Sequence, residues 1–252
     1  MMRAATCAAV LLMLAAGAAR ADGLADMKSA LSRAAASSPF KALVDTRITR
    51  KLGEGKDTDD ESGQASVAVE ESARGLGLTY SKATLARVDA EMRVRSKNPN
   101  SKTPTVTALL EVDVRDLMGL TSAAPALLRR VERDAFKGER SDTWQGKPAR
   151  VLTFEAPIST LSDRERKYAK KFLSVLEVWI NADGMPLASR GRVTVSGRAF
   201  VVVSFDSVHQ EDSVYSAVGD RLLMVRKEAS DNSSGAGERE ERKVVTTVQL
   251  QP

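Results

Sequence analysis

The C-terminal half of the chain is a series of strand-like runs joined by short turns, and this limits the fold more than any other feature. Val175–Asn181, Met185–Val195, Ala199–His209, Val214–Glu228 and Lys243–Gln251 follow one another, the fourth read as interrupted. Ala182-Asp183-Gly184, Ser196-Gly197 and Gly219-Asp220 stand between or within them, with glycines that tolerate the positive φ of tight turns. Ser230–Gly237 reads as a longer flexible tip. Parallel strands need crossovers of a dozen or more residues. Runs linked this tightly therefore predict an antiparallel meander. Phe136–Trp144 and Ala149–Phe154 extend it around the turn Gln145-Gly146-Lys147-Pro148.

The N-terminal half alternates between the two periodicities. Leu24–Ser37 has helical spacing, with Pro39 just beyond. Lys41–Leu52 alternates, with Ala42, Val44, Thr46, Ile48 and Leu52 on one face. Gly53–Gly63 reads as a polar loop, Gln64–Glu70 as the returning strand and Leu76–Tyr80 as a third strand. Ser81 is a fitting cap for a helix through Lys97. Thr105–Met118 and Ala123–Ala135 read as one helix broken at Gly119, with Pro125 in the first turn of the second piece. Leu161–Lys171 is either a short helix or a solvated loop. No composition shift marks a linker and no fixed period marks a repeat. The expectation is one α+β domain over residues 22–252: a large curved antiparallel sheet of eight or nine strands, covered on one face by helices.

Met1–Ala21 has a different character. Arg3 precedes an apolar run from Ala8 to Ala19, and Ala19-Arg20-Ala21 is a small-x-small site before Asp22. This is the layout of a cleaved secretory signal peptide, and it predicts a periplasmic or secreted product. The run is too short to span a bilayer, which takes about 20 apolar residues, and no later run is longer. The only cysteine, Cys7, lies inside this segment. Its removal excludes disulfides, cysteine nucleophiles and thiolate metal sites. Loss of Arg3 and Arg20 takes the 38 basic residues to 36, against 33 acidic ones. Basic residues without clustering or aromatic platforms do not suggest nucleic acid.

No motif identifies a reaction. His209 is the only histidine, no G-x-S-x-G presents a serine, and no Walker sequence occurs. Asp57, Asp59, Asp60 and Glu61 are closely spaced but lack the calcium-loop pattern, so a solvated hairpin tip is favoured. Glu155, Glu177 and Asp206 are acids near strands with nothing to pair them. No catalytic residue, metal site or cofactor is therefore expected. Arg164, Arg166, Lys167, Lys170 and Lys171 form the densest basic stretch. They read as a solvated helix face partnered by Asp163 and Glu165, or as a contact for an anionic surface or acidic partner. Trp144 and Trp179 suit either core or the wall of an apolar pocket.

Two segments carry a resemblance. WQGKPARVLTF (Trp144–Phe154) is similar to the G-[KR]-P-A-hydrophobic strand pair of the periplasmic lipoprotein-carrier (Lol-type) superfamily. LEVWINADGMPL (Leu176–Leu187) resembles the V-W-[IV]-D-x-x-x-G-L-P strand of the same proteins. Asn181 stands where that pattern has aspartate, and Met185 where it has leucine. The helical region from Ser81 to Ala135 departs more widely. The resemblance implies an unclosed half-barrel around a helical lid, with an apolar space that receives acyl chains. It implies a soluble, non-enzymatic periplasmic protein that binds a lipid, a lipoprotein acyl chain or another apolar ligand between sheet and helices. Val44, Ile48, Leu152, Leu176 and Val201 alternate so as to line that space or to pack as core. The alternative is an envelope sensor or scaffold whose protein partner meets the outer sheet face or Arg164–Lys171. A secreted hydrolase using carboxylates alone ranks third.

Overall fold

The structure, a computed structural model, describes residues 22–35, 38–53, 58–72, 74–199 and 203–251. The leader-like segment, Asp57 and Val201 lie outside them. In chain order, α1 (Gly23–Arg33) leads into β1 (Phe40–Leu52), β2 (Asp59–Ser72) and β3 (Gly75–Thr79). Four helices follow: α2 (Lys82–Lys97), α3 (Pro104–Leu110), α4 (Val114–Thr121) and α5 (Ala123–Arg133). Then come β4 (Ala135–Trp144), β5 (Lys147–Glu155), a short 3-10 turn and α6 (Asp163–Tyr168). The chain closes with β6 (Ala169–Ile180), β7 (Pro186–Ala199), β8 (Val203–Val218), β9 (Arg221–Gly235) and β10 (Glu238–Gln251).

All ten strands join one sheet in the order β3-β2-β1-β10-β9-β8-β7-β6-β5-β4. β3 and β4 are its two edges, so the sheet does not close into a barrel. The first and last strands of the chain pair as third and fourth in this order, where Val44 faces Val248 and Ile48 faces Val244. This closes the N-terminal hairpin onto the C-terminal meander.

The helices cover one face of the sheet. Met27 and Leu31 of α1 and Leu127 and Val131 of α5 pack on Leu152, Phe154, Leu176, Val178 and Ile180. Leu117 and Leu120 of α4 pack on Val44, Val67 and Val248. Ala108 of α3 meets Ile48, Ala65 and Val244. On the opposite face a smaller cluster joins Trp144 and Trp179 with Val151 and Ala188. Elsewhere that face is polar, as antiparallel sheets permit.

Turn chemistry explains the register. The β4–β5 loop is Gln145-Gly146, both at positive φ, and the β9–β10 loop is Ala236-Gly237 in the same state. Positive φ at both positions suits two-residue hairpins because it matches the right-handed strand twist. The Ser230–Gly237 tip expected from composition is therefore strand as far as Gly235. Ser233 pairs with Ser207 on one side and Glu240 on the other, so ladder bonds from two neighbours override poor strand propensity. For the same reason β2 starts at Asp59, laddered to Leu52, inside the expected loop.

The helical stretch also differs from expectation, with three pieces in place of two. Gly119 lies inside α4, and the breaks fall at 111–113 and at Ser122. Asp113 starts α4 afresh by accepting the Asp116 backbone N–H at 2.8 Å. Pro125 has no N–H to offer the previous turn, so α4 cannot run on into α5. Ser81 caps α2 as expected, accepting from the Thr84 N–H at 3.0 Å.

One buried cation ties these layers together. Arg221, 2% exposed, opens β9. Its Nη1 donates to Glu71 Oε2 at 2.7 Å and to the Thr121 carbonyl at 2.8 Å, and its Nη2 to the Ser38 carbonyl at 2.9 Å. The guanidinium stands 4.8 Å from the Phe40 ring centroid. Thr121 is the last residue of α4, where carbonyls lack helical partners and a cation is favoured. Replacing Arg221 with Met should cost about 3–5 kcal/mol in urea denaturation, because Glu71 and the carbonyls keep their burial and lose their donor. Adding Glu71→Gln should recover part of that loss. A single variant within about 1 kcal/mol of the parent would contradict this role.

Candidate functional site

The four described residues expected to line an apolar space are buried to 3% exposure or less. Leu152 and Leu176 pack together beneath α1 and α5, Val44 lies beneath α4 and Ile48 beneath α3. They occupy three side-chain clusters and none lines a cavity described below. The fifth, Val201, lies outside the described residues.

The basic stretch occupies a junction. Arg164, Arg166 and Lys167 are on α6, while Lys170 and Lys171 open β6, which starts six residues before its expected Val175. The helix forms because Ser162 and Glu165 make a capping box. Glu165 Oε2 accepts from the Ser162 N–H at 2.8 Å and its hydroxyl at 2.6 Å, and the Ser162 Oγ accepts from the Glu165 N–H at 3.3 Å. The Ser162 hydroxyl and backbone hold the Glu165 carboxyl below the usual carboxylate range. Arg166 pairs with Asp163, and Lys167 Nζ sits 5.7 Å from the Tyr168 ring centroid. Arg164, Lys170 and Lys171 have no ion-pair partner among the described residues.

Beneath α6 lies a cavity of about 280 Å³, lined by Leu161, Arg164, Glu165, Tyr168, Val195, Phe205 and Ser207. Val195 and Ser207 are partners across β7 and β8. The helix approaches the sheet at Gly197, where an added Cβ would stand 2.0 Å from the Tyr168 carbonyl oxygen and 2.8 Å from the Phe205 ring. Any side chain there would lift α6. The cavity walls are thus mainly aliphatic and aromatic, with the Glu165 carboxylate, the Ser207 hydroxyl and the unpaired Arg164 guanidinium as the polar groups. Arg164 was singled out in the sequence, but Leu161, Tyr168, Val195 and Phe205 were not. Their one sequence signal is the spacing of Leu161 and Tyr168 at either end of a charged run.

Farther along β8 the helix-facing surface becomes charged. His209 Nδ1 lies 2.6 Å from Asp231 Oδ1, and Arg242 bonds Asp231 Oδ2 at 2.8 Å. Arg242 also bonds Glu111, in the turn between α3 and α4. Lys227 Nζ reaches Asp116 of α4 at 3.0 Å and Glu211 at 3.4 Å. His209, Lys227, Arg242, Glu111 and Asp116, with Val112, Leu120 and Val244, line a space of about 210 Å³. Burial alone would lower the Lys227 pKa, but Glu211 and Asp116 outweigh it and raise it above its ordinary 10.5. The same contest, with Glu111 and Asp231 as partners, raises Arg242. His209 and Asp231 resemble part of a catalytic triad, but no serine hydroxyl is bonded to His209 among the described residues. The carboxylates here are engaged in ion pairs that hold the α3–α4 turn on the sheet.

The remaining candidates are dispersed. Trp144 and Trp179 pack at 5.7 Å on the helix-free face, where Trp179 donates to Asp142 at 3.1 Å. Glu155 pairs with Lys137 and Glu177 with Arg140. Asp59, Asp60 and Glu61 lie on β2, where Lys102 binds Asp59 and Glu61 accepts from Thr107. A larger groove of about 500 Å³ on the helix-free face is lined throughout by polar residues, among them Thr49, Lys51, Ser62 and Asn232. No group of three or more metal-ligating side chains gathers among the described residues. No helix among them is long and apolar enough to cross a membrane.

Lys227→Met should cost about 2 kcal/mol at neutral pH, since two carboxylates lose their shared donor. Amide exchange in α4 should quicken accordingly. Because the folded-state pKa of Lys227 is raised, its contribution is complete below the unfolded value and is lost as pH rises through the folded value. Parent and variant should therefore differ equally across neutral pH and converge only in strong alkali. No protein-family model, curated protein or solved structure compared with the chain matches it.

Proposed function

We propose that this chain is an envelope protein that binds a single-chain anionic amphiphile, such as a fatty acid, in the cavity under α6. The observation that carries this reading is the unpaired Arg164 guanidinium at the rim of an apolar-walled space. Apolar walls with few polar groups are the usual composition of small-molecule sites. Each methylene buried contributes roughly 0.8 kcal/mol, and a guanidinium matches a carboxylate with two parallel donors. Glu165 at the same rim is already satisfied by Ser162, which leaves Arg164 as the group that selects the head. Lys170 and Lys171 add positive charge nearby. The resemblance to lipoprotein carriers and the leader-like Met1–Ala21 segment support the same assignment. The ligand space differs from the one expected along Val44, Ile48, Leu152 and Leu176, where side chains already fill the interface.

Displacement of a fluorescent fatty acid by dodecanoate tests the reading. Arg164→Gln should weaken dodecanoate roughly tenfold or more, the worth of one charged hydrogen-bonding group. It should leave dodecanol, which has no carboxylate, unaffected. Val195→Trp should fill the space and abolish binding of both. A parent protein without affinity, or both variants binding as the parent does, would overturn the proposal.

A further inference from the structure

α2 is a helix of 16 residues with a single buried side chain, Thr84. It packs chiefly on α3, whose first amides Glu91 caps by accepting from Thr105 and Val106 at 2.9–3.1 Å. The rest of α2 faces solvent. Leu85 is 54% exposed and Met92 49%, with half-buried Val88 between them at helical spacing. Val94, on another face, is 56% exposed. Apolar groups held this far out keep about half of their surface in water.

The charges around them are one-sided. α2 carries Lys82, Arg87, Arg93, Arg95 and Lys97 against Asp89 and Glu91. Both acids are engaged, Glu91 by the α3 amides and Asp89 by Arg93. Arg95 donates to Thr103. Lys82, Arg87 and Lys97 have no partner among the described residues.

We infer that α2 docks the protein on the surface of an anionic lipid bilayer. Leu85, Val88 and Met92 enter the boundary between head groups and acyl chains, and the cations hold the phosphates. Attachment to such a surface grows with the apolar area buried and with attraction to anionic lipid, and long basic side chains reach around to the head groups. The helix is about 10 Å across, comparable with the Debye length of about 10 Å at moderate ionic strength. Cations on every face of α2 therefore contribute. This surface is separate from the α6 cavity and does not depend on what that cavity binds.

Flotation of the purified protein with vesicles tests the inference. The protein should float with equimolar phosphatidylglycerol and phosphatidylcholine, and not with phosphatidylcholine alone. Combined Lys82→Gln, Arg87→Gln and Lys97→Gln should lower partitioning roughly 100-fold, given about a fivefold effect per cation near an anionic surface. Leu85→Ser with Met92→Ser should lower it roughly tenfold without altering the salt dependence. Arg164→Gln should leave it unchanged, which separates this surface from capture of single lipids under α6. No flotation on the anionic vesicles, equal flotation on both kinds, or unchanged partitioning of both α2 variants would overturn the inference.

Discussion

Arg221 is the contact on which the assembly of this fold depends. It opens β9, a central strand of the sheet, and its donors reach Glu71 on β2, the C-terminal carbonyl of α4 and the segment leading into β1. Glu71 and the β1 entry are already joined by the β1–β2 ladder, where Phe40 faces Glu71, and Arg221 ties both to α4 and to β9. A buried guanidinium is costly unless its donors are satisfied. Here both terminal nitrogens are, while Nε has no partner. The geometry is thus demanding: the helices and the N-terminal hairpin must arrive together for the charge to be tolerated. Leu222, the next residue, donates to the Ala34 carbonyl just past α1 and fixes that helix to the same strand.

With the layers fixed, the helix-facing side of the sheet divides into two territories. Beneath α1, α4 and α5 it is a filled aliphatic core. Beyond them, along β8 and β9, the same side carries Ser207, His209 and Glu211 against Ser233, Asp231 and Ala229. No long apolar helix covers this strip. It is bridged instead by the charged struts from the α3–α4 turn and, at its far end, by α6. On this side the two cavities described lie where the cover changes from packed helix to strut and short helix. That is why the candidate ligand space lies under α6 and not in the middle of the core.

The antiparallel sheet and most of its turns were legible in the sequence because local rules and tertiary structure agree there; Ser196-Gly197, expected as a turn, instead lies within β7, laddered to β6 and β8. Gln145-Gly146 and Gly219-Asp220 are turn signals that the fold uses as such. The face was legible too: Val44, Ile48, Leu152 and Leu176 all point to the helix side, as alternation requires. Whether that side is filled was not legible, since periodicity says which residues leave solvent and nothing about what meets them. Ser230–Gly235 was misread because its strand character comes from partners on β8 and β10 distant in sequence. The helix break was placed at Gly119, where Asp113 and Pro125 were the stronger local signals. The α6 cavity draws Leu161, Tyr168, Val195 and Phe205 from a loop, a helix and two strands, and no spacing in the sequence joins them.

The most direct test of the account is a crystal structure of the protein grown with dodecanoate. The account predicts the acyl chain between α6 and β7–β8, touching Leu161, Tyr168, Val195 and Phe205, with its carboxylate on Arg164. An acyl chain lodged between α4 or α5 and the sheet, or an empty space under α6 at saturating ligand, would contradict it.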